Sequence, residues 1–125
     1  MNIDLWSITY ITLWVANYDA TLAFYRDKLG LPCEQEDGNF ACFNTQGVRL
    51  CMHRTSDPTP LREDTVEIHF EVPDVDETYR ALLERGLSFE QGPANMPWGT
   101  RMAALRDPEG YSIEIVGPLK DADLN

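Results

Sequence analysis

The chain has 125 residues, 43% of them hydrophobic, enough for one compact unit or two small modules sharing a core. Its formal charge of −11, from 21 acidic against 10 basic residues, excludes the basic face that nucleic-acid binding needs and is compatible with a cationic ligand. No apolar run reaches the length of a membrane span, and MNIDLWSITY lacks the basic-then-apolar order of a signal peptide, so a soluble cytoplasmic protein without a membrane partner is expected.

The stretch from Ser7 to Val15 is rich in β-branched and aromatic residues and reads as a strand. Asn17 or Asp19 can then cap a helix from about Ala20 to Leu29, which Gly30 stops. Strands are expected near Leu31–Gln35, Phe40–Asn44 and Val48–His53, with EDGN as a hairpin signal and TQG as the turn into the third. The cysteines are three, Cys33, Cys42 and Cys51, with no C-x-x-C spacing. Neither a disulfide framework nor a zinc knuckle is expected from that pattern, and Cys33 and Cys42 read as small, buried, reduced thiols.

RTSDPTPLRED, with two prolines and no periodicity, reads as a linker over about 55–64. The order then repeats. A strand covers Val66–Val72, Asp74 or Asp76 caps a helix running to Arg85 before Gly86, and strands follow near Ser88–Gln91, Arg101–Leu105 and Tyr111–Val116. Phe24, Leu22, Leu82 and Leu83 are assigned to the contact between helix and sheet. LKDADLN is a polar tail.

Setting the halves against each other places Val15 on Val72, Asp19 on Asp76, Thr21 on Thr78 and Gly30 on Gly86, with one gap. Glu34-Gln35 falls on Glu90-Gln91, Gly47 on Gly110, and Cys51 on Glu114. Each half is thus a βαβββ module, about 7–54 and about 65–117, with the tail at 118–125. One such module is too small to bury both faces of its sheet. Two in tandem are expected to form a single α+β domain, 1–125, whose mixed sheet curls around a shared cleft.

That repeated order resembles the vicinal oxygen chelate superfamily, which includes glyoxalase I, extradiol dioxygenases and bleomycin-resistance proteins. The resemblance rests on D-x-x-x-x-F-Y-x-x-x-L-G from Asp19 and on D-P-E-G-Y-x-I-E from Asp107, and it covers about Ile8 to Pro118. In metal-dependent members the first and last strand of each module supply cleft-facing ligands. Carried over, these positions are Tyr10, Cys51, Glu67 and Glu114, with no histidine among them. The resemblance therefore implies that Glu114 faces the cleft. PWG ahead of RDPEG is similar to the bleomycin-resistance branch, whose acidic, metal-poor, dimeric proteins sequester a cationic drug.

Strand parity adds His53, two residues after Cys51, and His69, two after Glu67, as donors for a displaced metal site ~7 Å along each strand. Trp14 shares the parity of Tyr10, and Trp98 sits in a Pro- and Gly-flanked loop, so both are candidate pocket walls. The expected function is binding of a small aromatic or cationic compound by Tyr10, Trp14, Cys51, Glu67, His69, Trp98 and Glu114, without cofactor or catalytic metal, in a homodimer. The alternative is a divalent-metal-dependent lyase, isomerase or dioxygenase whose metal sits on Glu114 and Glu67 with Cys51, His53 or His69. A third is metal-free acid–base chemistry by Glu67 or Glu114.

Overall fold

The computed structural model describes residues 3, 5, 7–57 and 66–120. Most of the expected linker, 58–64, and the end of the tail, 121–125, lie outside the described residues. The chain divides into two compact units, Met1–Pro58 and Thr59–Asn125, and each carries one βαβββ module.

In the first unit, β1 (Tyr10–Val15) leads through α1 (Tyr18–Leu22) to β2 (Cys33–Glu36), β3 (Phe40–Phe43) and β4 (Arg49–Arg54). The sheet order is β1-β4-β3-β2, with β1 and β4 parallel and the other neighbours antiparallel. Leu13, Val15, Ala41, Phe43, Leu50 and Met52 fall on one face and are buried with Tyr18, Leu22 and Tyr25 of the helical segment. Asn17 caps α1, its side chain accepting from the Ala20 N–H at 3.4 Å. The helix does not run regularly to Leu29 as expected. From Ala23–Lys28 it widens into π-helical turns, with the Leu29 N–H donating to the Phe24 carbonyl at 2.9 Å, and the consecutive rings of Phe24 and Tyr25 are both buried.

The second unit repeats this design: β5 (Glu67–Glu71), α2 (Val75–Glu84), β6 (Gln91–Asn95), β7 (Arg101–Arg106) and β8 (Ser112–Gly117), in sheet order β5-β8-β7-β6. Asp74 caps α2 by accepting from the Glu77 N–H at 3.1 Å, and Gly86 ends it at φ 87°, as the sequence suggests. Val75, Leu82, Ala103, Leu105, Ile113 and Ile115 form its interior. Leu83 is 42% exposed, which corrects its assignment to the core: one residue further round α2 carries it off the face that Leu82 presents. The strand expected at Ser88–Gln91 instead begins at Gln91. Pro93 has no N–H to give to a ladder, and the edge position of β6 with a register shift between Gln91 and Ala94 accommodates it.

The cysteines also depart from expectation. Cys42 and Cys51 are joined by a disulfide, with Cα atoms 4.1 Å apart, so Cys42 is buried but not a reduced thiol. The turn around Gln46-Gly47 folds β3 against β4 so that residue 42 lies opposite residue 51. Cys33 is a free thiol, half-buried, with Sγ 3.4 Å from the Gln35 carbonyl. Among the described residues no helix is long and apolar enough to cross a membrane.

Candidate functional site

On β5 the side chains alternate. Ile68 and Phe70 turn toward the α2 side of the sheet, while Glu67, His69 and Glu71 turn to the exposed face. β8 runs parallel beside it in a register that pairs His69 with Glu114 and Glu67 with Ser112. Three things place Glu114 there. Asp107 accepts from the N–H groups of Glu109 and Tyr111, both at 2.9 Å, and closes the DPEG turn. Gly110 takes φ 99°, a left-handed conformation in which a side chain is strained. Ile113 and Ile115 are buried on the opposite face, which leaves Glu114 on the exposed one.

The three side chains meet. His69 Nδ1 lies 2.8 Å from Glu114 Oε2, and His69 Nε2 lies 3.2 Å from Glu67 Oε2. The Glu114 side chain is 13% exposed, against 48% for His69 and 54% for Glu67, so the group is anchored at its inner carboxylate and open at its outer one. As imidazolium, His69 donates from both ring nitrogens at once. One ligand atom from each residue can be chosen so that all three lie within 4.8 Å of one another. One imidazole and two carboxylates are donors that suit zinc, manganese or iron(II), so the set fits a divalent ion.

The equivalent places in the first unit do not offer such donors. Tyr10 stands where Glu67 does, Thr12 where His69 does, and Cys51 where Glu114 does, and Thr12 pairs with Cys51 as His69 pairs with Glu114. Tyr10 is 60% exposed. Cys51 is fully buried and bonded to Cys42, which corrects its expected part as a ligand: a disulfide sulfur has no thiolate to give. The partner cysteine was missed in the sequence, although the nine-residue spacing of Cys42 and Cys51 about the TQG turn carries the signal. His53 stacks on Trp14 with ring centroids 4.4 Å apart and is not among the Glu67, His69 and Glu114 group. Trp98 stands exposed in the loop that the Met96 N–H closes on the Thr100 carbonyl at 2.7 Å.

A second ionic group went unanticipated. Arg101, 6% exposed, donates from Nε and Nη2 to the two carboxylate oxygens of Asp76 at 2.6 and 3.0 Å, and from Nη1 to Asn95 Oδ1 at 3.3 Å. Those bonds hold the Asp76 carboxyl below the usual carboxylate range. The pair ties α2 to β7 and leaves the exposed sheet face to the glutamates.

Among known proteins, the chain is 29% identical over 119 residues to the uncharacterized protein YraH of Bacillus subtilis (strain 168), a match covering 84% of this chain and 93% of that one. Its fold is similar to a glyoxalase/bleomycin resistance protein/dioxygenase from Nocardioides, with TM-score 0.79 and 24% identity over 99% of this chain and 91% of the other. It is similar as well to a lactoylglutathione lyase from Agrobacterium tumefaciens, with TM-score 0.71 and 24% identity over 89% and 92%. At that identity the two structures show a common fold alone. The profile of the Glyoxalase/Bleomycin resistance protein/Dioxygenase superfamily matches residues 7–115, nearly the whole described chain, in agreement with the two βαβββ modules and their registers. The chain belongs to the glyoxalase/bleomycin resistance protein/dioxygenase superfamily.

Proposed function

We propose that this chain is a divalent-metal-dependent member of its superfamily, in which Glu67, His69 and Glu114 hold the ion and a small oxygen-bearing compound is the substrate. The observation that supports it is the convergence of three donors from two adjacent strands on one exposed face. A divalent ion held there supplies Lewis-acid polarisation of substrate oxygens. Glu114, the least exposed of the three, fixes the His69 ring through Nδ1. That contact leaves Nε2 turned toward Glu67 on the outer side. Glu67, the most exposed of the three side chains, leaves that outer side open to a bound compound.

Metal analysis of protein purified without chelator or added metal, under non-reducing conditions, tests this reading. A thermal shift with zinc, nickel, manganese and iron(II) accompanies it. Near-stoichiometric metal is expected, with stabilisation of about 2.7 kcal/mol at a free-ion concentration a hundredfold above Kd. Both should be lost in Glu114→Gln and His69→Ala. Metal-free protein with no shift would overturn the proposal.

That second outcome would favour sequestration of an aromatic or cationic compound without a metal. Trp14, 58% exposed, and Trp98, 66% exposed, support that reading, since indole faces attract organic cations. Under it, aromatic cations quench tryptophan fluorescence in the wild type and do so less in Trp14→Phe or Trp98→Phe.

A further inference from the structure

His69 and Glu114 stand at one end of a row of residues that crosses the second sheet. His69 on β5 lies opposite Glu114 on β8, Glu114 opposite Ala104 on β7, and Ala104 opposite Gln91 on β6. Residues paired in this way point to the same face. Their neighbours agree: Ala103 and Leu105 are buried on the α2 side, and a Cβ on Gly92 would meet the Tyr79 hydroxyl of α2 at 3.7 Å, which turns Gln91 to the face of Glu114. With adjacent strands ~4.8 Å apart, Gln91 is ~10 Å from Glu114, and only the methyl group of Ala104 stands between them in the row.

The first sheet has the same row with its middle filled. Thr12, Cys51, Cys42 and Gln35 are its members, and the Cys42–Cys51 disulfide occupies the places of Glu114 and Ala104. The second sheet keeps the outer glutamine and replaces the disulfide by one carboxylate and one methyl, which leaves a lane. The row on one side of that lane is apolar, with Val116 opposite Met102 and Met102 opposite Ala94. On the other side Arg106 is already engaged, donating from Nε to Glu90 Oε1 at 2.8 Å and from Nη1 to the Gly110 carbonyl at 2.9 Å. At the far end, the Gln91 amide nitrogen lies 3.8 Å from the Met96 sulfur. Thioethers make favourable contacts with aromatic rings. A primary amide has two N–H donors and an acceptor oxygen, so one contact with a weak sulfur acceptor leaves it able to bind a polar group.

We propose that Ala104 and Gln91 set the substrate class of the metal site: a flat, aromatic compound whose oxygen donors meet the ion beside Glu114, whose ring lies over Ala104, and whose far end carries a hydrogen-bonding group that reaches Gln91. The inference rests on the reading of Glu67, His69 and Glu114 as metal ligands, and it adds the direction in which the substrate extends from them. Ala104 is the specificity-determining residue, because a longer side chain there stands in the place of the ring, as the disulfide does in the first sheet. Gln91 reads the far end of the substrate and touches neither the ion nor its ligands. A compound that consists of chelating oxygens alone reaches neither residue and is indifferent to both.

Three hydroxamates that differ only beyond the chelating group test this by calorimetry on the cobalt(II)-loaded full chain: acetohydroxamate, benzohydroxamate and 4-hydroxybenzohydroxamate. In the wild type, benzohydroxamate should bind about tenfold more tightly than acetohydroxamate, through burial of its ring. The 4-hydroxyl group should add about threefold more, as one net hydrogen bond does. Ala104→Leu should abolish the advantage of the ring and leave cobalt and acetohydroxamate binding unchanged, which also shows that the variant is folded. Ala104→Val replaces it if the leucine variant takes up no cobalt. Gln91→Leu should remove only the gain from the hydroxyl group. Equal wild-type affinities for acetohydroxamate and benzohydroxamate, or a ring advantage that survives at residue 104, would overturn the inference while the metal reading stands. So would a loss of acetohydroxamate binding in a residue-104 variant that retains cobalt, and a hydroxyl gain that survives Gln91→Leu would overturn the part given to Gln91. Failure of the wild type to take up cobalt would instead overturn the metal reading, and this inference with it.

Discussion

Removing Asp76 would take from the buried Arg101 guanidinium the carboxylate that accepts two of its hydrogen bonds. Breaking a buried pair from one side costs about 3 kcal/mol or more, because the stranded charge keeps its desolvation penalty and loses its partner. Asp76→Ala should therefore lower the unfolding free energy by about that amount at neutral pH, read as a lower urea midpoint at unchanged slope. The pH dependence has a definite sign. Arg101 depresses the Asp76 pKa, so its contribution is present above the ordinary carboxylate value of about 3.9 and is lost as pH falls through the lower, folded-state value. Wild type and Asp76→Ala should accordingly converge in stability only in strong acid. Denaturation curves from pH 7 downward measure this, and a gap that closes already at pH 5 would show that the pair contributes little. Neither residue announced itself in the sequence, where Asp76 reads as a possible helix cap and Arg101 as the first residue of a strand.

At the end of β8, Gly117 approaches β5 so closely that an added Cβ would lie 2.6 Å from the Val72 carbonyl oxygen and 3.1 Å from Val75 Cγ2. The first neighbour is backbone and cannot rotate aside. Gly117→Ala should cost 1–3 kcal/mol, as overpacked sites do, and show as a lower urea midpoint with unchanged slope. A shift under about 0.5 kcal/mol would mean that the strand end relaxes freely. Such close approaches are invisible in a sequence, whereas other parts of these elements were legible. Helix caps depend on one side chain and a fixed spacing, so each start was narrowed to two candidates that included the observed Asn17 and Asp74, and Gly86 could be read directly. Strand parity depends only on counting, so Glu67 and His69 could be placed on one face of their strand, while Glu114 was placed with them by the family resemblance. What counting could not supply was the β5–β8 register, and that register sets the 2.8 Å contact between His69 and Glu114. The later start of β6, by contrast, carried a local signal in Pro93, whose missing N–H weakens a ladder there.

Across the whole chain, the net charge of −11 opposes folding through self-repulsion, while single groups such as Asp76 hold it together. These two effects respond differently to solution conditions and can be separated. Raising sodium chloride from 0.01 to 0.15 M shortens the Debye length from about 30 Å to about 8 Å, which weakens long-range repulsion but scarcely touches a hydrogen-bonded pair that is mostly buried. The melting temperature should rise over that interval. Lowering pH toward the pI near 4.4 reduces the same repulsion, and Asp76, with its depressed pKa, keeps its charge throughout. At 0.01 M salt the protein should thus be at least as stable at pH 5 as at pH 7, with the advantage of pH 5 shrinking at 0.15 M. Lower stability at pH 5 in low salt would mean that the acidic surface is locally compensated and that repulsion is not the governing force. The same comparison separates screening from site binding. Magnesium at matched ionic strength measures what general screening by a divalent salt contributes. A shift from micromolar zinc, which leaves ionic strength unchanged, can come only from donors that converge, and Glu67, His69 and Glu114 are the described group that does so in the oxidised chain.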